Sequence, residues 1–275
     1  MNCHNPWRQW FLLLAAVLAV VPTYAKNPLE VSFISERNAI VPGSVLWVGF
    51  WLKHPSGYHS YSQHPGGIGL ATSVQWDLPS GFSAGAIHWP SPQRVMMGEH
   101  RAQGYRGEVL LMVPLLTPRN LKSTRITLRA KLDWLCCGRA CHHAHQVPFA
   151  LTLPVRSEAA IERRFAALFA QARRSWPRAQ PRWQMSFRQQ RRTVILTIRP
   201  SSPADRWALL GLMPWFATDD GVIDSTKAQR IVPQLDHAFE MHLPMHELAP
   251  TSIDELRGVL VTPRQGIFVR ALRRP

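Results

Sequence analysis

The chain has 275 residues, 46% of them hydrophobic, and is long enough to bury its own core without disulfide staples. Its 32 Lys and Arg against 17 Asp and Glu leave a formal net charge of +15, which favours acidic partners. The arginines are scattered, as in RRFAALFAQARRSWPR and RQQRR, with no nucleic-acid-binding module around them, so nucleic acid is not an expected partner.

In chain order, the first feature is an N-terminal export signal. Arg8 supplies a positive start, residues 10–21 are uninterrupted apolar, and Thr23 and Ala25 are the small residues of a cleavage site. The apolar run is shorter than the roughly twenty residues a membrane helix needs. The sequence therefore predicts a signal peptide over residues 1–25 and a mature, periplasmic chain from Lys26, without stable membrane insertion. Three cysteines then remain, Cys136, Cys137 and Cys141, and an odd count leaves at least one unpaired within the chain.

The stretch SVLWVGFWLK, residues 44–53, is apolar on both faces and reads as a central strand. Turn signals follow at HPSG, HPGG and LPSG, spaced as in an all-β sandwich. In STRITLRAKLDW, Ile126, Leu128, Ala130, Leu132 and Trp134 alternate with polar residues, the mark of a strand with one buried face. VPFALTLPV repeats the pattern through Val147, Phe149, Leu151, Leu153 and Val155. Residues 136–145, which hold all three cysteines, are then expected to form a long loop between two antiparallel strands. An amphipathic helix is expected over residues 157–172, with Ile161, Phe165, Leu168, Phe169 and Ala172 on one face and Glu158 and Glu162 near its N-terminus. Beyond it, TVILTI, AFEMHL, GVLV and GIFVRAL read as further strands. The expected fold is all-β: an immunoglobulin-like sandwich over residues 26–155, one linking helix, and a second, smaller β-rich domain within 156–275.

The ordered series YHSY, HPGGIGL, WDLPSG, IHWPSPQR, GYRGEVLL and WLCCGRAC resembles the N-terminal periplasmic domain of the DsbD/ScsB family of thiol:disulfide interchange proteins. LRGVLVTPRQGIFVRAL resembles the end of the second β domain in the ScsB-like branch. The resemblance implies a sandwich whose cysteine pair, Cys137 and Cys141, acts as a protein-disulfide reductase. Electrons would come from a membrane-embedded thiol reductase and pass to soluble thioredoxin-like proteins, and no cofactor is implied. It also implies a cap loop over the pair at residues 97–105, an acidic cap residue at Glu99, and aromatic neighbours at Tyr58 and Tyr61. Two departures stand out. The family's membrane and thioredoxin-like domains do not follow here, so a separate protein would supply electrons, and Cys136 adds a third sulfur.

The residues themselves leave two further readings open. Arg139 between the pair, and His142, His143 and His145 after it, favour a thiolate. The same Cys136, Cys137, Cys141, His142, His143 and His145 are also ligand types for zinc or copper, with His143 and His145 able to chelate from one side of an extended segment. Their spacing is not that of a zinc finger. Met96 and Met97 are soft enough for copper, but such a pair more often packs over a neighbour. The third reading is a redox-inert binding module whose disulfide only braces the loop. Continuing the alternation past Trp134 puts Cys136 on the buried side and Cys137 on the other.

Overall fold

The computed structural model describes residues 27–180, 182–205, 213–219 and 221–274. The expected signal segment lies outside the described residues. The N-terminal strands, in order, are β1 (Glu30–Ser35), β2 (Val45–Lys53), β3 (Ser60–Tyr61), β4 (Ser73–Asp77), β5 (Ser83–Ala84), β6 (Gln93–Met97), β7 (His100–Tyr105), β8 (Glu108–Leu116), β9 (Arg125–Cys137) and β10 (Cys141–Pro154). They form three sheets, ordered β1-β2-β8-β5, β10-β9-β4 and β3-β7-β6.

The first two sheets face each other across one core. Leu46, Val48, Phe50 and Leu52 of β2 meet Leu128, Ala130, Leu132 and Trp134 of β9, all buried. Phe50 is the centre of this core, stacked on Phe33 at 4.7 Å between ring centroids, with Trp76 at 5.8 Å and Phe149 at 5.9 Å. The alternation read along β9 and β10 is what the sandwich buries: Val147, Phe149, Leu151, Leu153 and Val155 all pack on it. Pro148 lacks a ladder N–H, and β10 lies at the edge of its sheet, where the loss is tolerated.

β2 is apolar on both faces because both are covered. Its second face, with Trp47 and Trp51, joins Leu110 and Met112 of β8 in packing on the helix α1 (Ala166–Ser175) through Phe165, Leu168, Phe169 and Ala172. The helix thus starts well after the expected position. Residues before it hold extended pairings instead: Ile161 bridges Arg37, and the Glu162 N–H donates to the Glu36 carbonyl at 2.8 Å. Ile161 is exposed, and no acidic residue lies in the first helical turn. Backbone pairing with the sandwich edge outcompetes helix propensity there.

The other correction falls on the cysteine stretch. Instead of a long loop over 136–145, β9 runs to Cys137 and β10 resumes at Cys141, leaving a three-residue turn. The expected cap loop over 97–105 is likewise mostly strand, a β6–β7 hairpin turning at Gly98 and Glu99.

The C-terminal strands are β11 (Gln184–Gln190), β12 (Thr193–Arg199), β13 (Trp215–Thr218), β14 (Arg230–Pro233), β15 (Phe239–Pro244), β16 (Glu255–Val261) and β17 (Gly266–Arg273). They make one sheet, β13-β16-β17-β11-β12-β15-β14, around its own core of Phe187, Leu196, Phe216, Phe239, Met241 and Leu260. Only the β11–β17 pairing is parallel among the described ladders. The helix packs on the sandwich rather than within this second core. The fold is all-β. Among the described residues no helix is long and apolar enough to cross a membrane.

Removing the Phe50 ring opens a cavity between three aromatic neighbours. Phe50→Ala is expected to lower stability by about 3–5 kcal/mol in denaturant unfolding; a change below about 1 kcal/mol would show that the ring is not central.

Candidate functional site

Cys141 stands directly opposite Cys137 in the β9–β10 ladder, their Cα atoms 4.1 Å apart, and the two form a disulfide. Opposed residues of an antiparallel pair point to the same face. Strand alternation sends Cys136 to the other face, where it is free, fully buried and part of the sandwich core with Trp134. Burial pushes the Cys136 thiol up to about 11. Of the three sulfurs, the sandwich buries one and the hairpin pairs the other two.

The two sulfurs of the pair differ in environment. Cys137 is fully buried, packed with Tyr61, Val95, Ala102, Met97 and Leu135. Cys141 is exposed. The outer face of β9 is solvated along Arg125, Arg129 and Lys131, then becomes covered at Leu135 and Cys137, where the β3-β7-β6 sheet folds over it. Met97 joins the two sides: its Sδ accepts the Tyr61 hydroxyl at 3.2 Å and lies 3.7 Å from the Cys141 Sγ.

The strand beside Cys137 is held by polar contacts. His59 and Cys137 exchange both backbone hydrogen bonds, at 2.8 and 2.9 Å. The His54 ring donates through Nδ1 to the Gly107 carbonyl at 2.7 Å and accepts the Ser60 hydroxyl at Nε2 at 2.8 Å. The His59 ring lies edge-on to Tyr61 at 5.2 Å, and its buried Nε2 finds no hydrogen-bond partner among the described residues. Burial, with Arg106 and His54 nearby, lowers His59 from the usual 6.5 to about 4. Tyr58 covers the turn. A Cβ at Gly138 would meet its ring at 2.8 Å, so glycine there permits the contact.

Of the residues singled out from sequence, Cys137, Cys141, Tyr61 and Tyr58 gather at the turn. Arg139 stands exposed within it, and Glu99 stands exposed at the hairpin tip. The mixed ligand set is dispersed: Cys136 is in the core, Cys137 and Cys141 share a bond, and His142 packs beside Tyr58 at 6.1 Å. His143 and His145 do lie together, joined by Asp133. Sequence reasoning passed over Asp133, His59, Val95 and Ala102. Asp133 reads there as one more polar position of an alternating strand, and the others reach the site only through pairings between distant segments.

Residues 30–152 match the family model for the N-terminal domain of the thiol:disulfide interchange protein DsbD. Among solved structures, the N-terminal periplasmic domain of ScsB from Proteus mirabilis matches with a TM-score of 0.65 at 15% identity, covering 90% of this chain and 94% of that one. Spo0M of Bacillus subtilis matches with a TM-score of 0.25 at 12% identity over 89% of this chain and 90% of that one. The latter geometry is too remote to bear on the fold. Among curated proteins, no sequence matches.

Two outcomes follow from the site's geometry. Cys136→Ala is expected to leave the Cys137–Cys141 bond intact in peptide maps of acid-quenched, alkylated protein; a dominant Cys136–Cys141 bond in the parent chain would move the pair by one residue. Because His59 is neutral in the fold, its folded value lies below its unfolded one, so its contribution to stability is present above pH 6.5 and is lost as pH falls towards about 4. Denaturant midpoints should drop across that window, and less steeply in His59→Phe.

Proposed function

We propose that this chain, whose residues 30–152 belong to the DsbD N-terminal domain family, is a periplasmic thiol:disulfide exchange protein working through Cys137 and Cys141. The observation that carries this reading is the asymmetry of the pair, one sulfur exposed and one buried within an apolar cluster.

Exchange proceeds by attack of a thiolate on an accessible disulfide sulfur. Cys141 is the accessible one. A donor thiolate attacks its Sγ, the bond to Cys137 breaks, and Cys137 departs with the electron pair and takes up a proton, since its apolar surroundings disfavour a charge. The donor's second thiolate then attacks the donor sulfur of the mixed disulfide, forming the donor's own disulfide and releasing the Cys141 thiolate. Two electrons have passed to the pair. Delivery runs the same steps in reverse order: the Cys141 thiolate attacks a recipient disulfide, and Cys137, deprotonated, attacks the Cys141 sulfur and frees the reduced recipient. Exposed Arg139, two residues from Cys141, favours the thiolate there. A membrane-embedded reductase as donor and thioredoxin-like proteins as recipients fit this chemistry, and the basic chain suits acidic partner surfaces. Met97, in contact with both Tyr61 and Cys141, would have to move as a partner approaches.

The test is trapping. Cys137→Ser, challenged with a disulfide-bonded thioredoxin-like protein, is expected to accumulate a mixed disulfide through Cys141, with turnover abolished. Cys141→Ser is expected to accumulate none. Equal trapping by both variants, or turnover in either, would sink the assignment. A reduction potential below about −300 mV would instead mark the bond as a structural brace.

A further inference from the structure

A second cluster of chemically able side chains stands on the face that carries the disulfide. The β9–β10 register shifts between Ala144 and Val147, so that His145 and Gln146 together oppose Asp133. Gln146 takes a left-handed backbone conformation, φ 51°, unusual for a residue other than glycine. Two residues against one is a β-bulge, a device that re-aims side chains. Here it turns the His145 ring onto Asp133, with Nδ1 against the carboxylate Oδ1. Gln146 fixes the same carboxylate from behind, through its backbone N–H at 3.2 Å and its side-chain amide at 3.1 Å. His143 is the neighbour on that side, its ring 5.9 Å from that of His145. One donor atom from each of Asp133, His143 and His145 lies within 4.8 Å of the others.

We propose that Asp133, His143 and His145 form a binding site for a divalent transition-metal ion of the zinc type. Two imidazoles and one carboxylate are a borderline donor set that suits such an ion over Mg²⁺ or Ca²⁺, which prefer all-oxygen sites. Donors around a tetrahedral ion at about 2.0–2.2 Å stand roughly 3.5 Å apart. The two exposed histidines can close the remaining distance by side-chain rotation, while the partly buried carboxylate, oriented by Gln146, stays fixed. Water would fill the remaining position. The site shares its strand face with Cys141, two residues before His143.

The site does not depend on the exchange reading, because it needs neither sulfur of the pair. The test therefore uses the oxidised full chain, purified without an affinity tag, titrated calorimetrically with Zn²⁺ and, for comparison, Mg²⁺. One Zn²⁺ per chain is expected, with affinity at least about tenfold weaker in His143→Gln and in His145→Gln. His142→Gln, on the neighbouring position that faces the other way, is expected to bind as the parent does. All three variants should keep the parent's far-ultraviolet circular dichroism. Binding no tighter than that of Mg²⁺, or Zn²⁺ affinity unchanged in both folded histidine variants, would overturn the proposal.

Discussion

The site rests on one register, Cys141 opposite Cys137 across a three-residue turn. A slip of one residue would exchange the faces of β9, bringing Cys136 out and burying Cys137 in the sandwich. The register is pinned from the core side. Leu128, Ala130, Leu132 and Trp134 each occupy fully enclosed positions, and a slip would replace them with Arg129, Lys131, Asp133 and Leu135. Burying two cations and a carboxylate without partners costs several kcal/mol each, far more than any gain at the turn. The sulfur pairing is thus decided by side chains that take no part in sulfur chemistry.

The second constraint is the cover over Cys137. The β6–β7 hairpin is held between the disulfide on one side and the C-terminal sheet on the other. Arg94 of β6 lies over the Trp215 ring of β13 at 4.9 Å, and Gln103 of β7 donates to the Thr218 carbonyl at 3.1 Å. The Ser225 hydroxyl donates to the Gly66 carbonyl, in the segment after β3 whose Pro65 carbonyl accepts the Gln103 N–H of β7 at 2.8 Å. The C-terminal sheet therefore bears on the segment that shields the buried sulfur. Movement of the hairpin as a unit would break these contacts, whereas movement of Met97 near its tip would not. That ties a cysteine-free half of the chain to access at the disulfide.

Environment then separates the two sulfurs of one bond. Around Cys137 lie Tyr61, Val95, Ala102 and a neutral His59, which give a thiolate little support. Cys141 is exposed, and Arg139, two residues before it, is exposed as well. In the proposed exchange this asymmetry sets the order of events, because charge is carried more easily at the exposed sulfur than at the buried one.

Much of this was legible in the sequence. Period-two alternation along residues 126–134 and 147–155 determined two half-buried strands, and its continuation determined that Cys136 and Cys137 face opposite ways. A doubly apolar run at 44–53 determined a central strand, because a strand with no polar face must be covered twice. The ordered motifs from YHSY to WLCCGRAC pointed to the family, and with it to the Cys137–Cys141 pair. What local pattern could not supply was how far each element extends, since that depends on partners distant in sequence. The cysteine stretch falls between two alternating segments and reads as loop, yet strand pairing carries through it to Cys137 and from Cys141, with His59 supplying the second edge. The helix begins late because residues 160–162 pair with residues 36–38 at the sandwich edge. Asp133 meets His145 only because a bulge adds one residue to β10, and a bulge is a property of two strands together. Alternation is local and was readable; register, coverage and bulges belong to pairs of distant segments, and only the tertiary structure decided them.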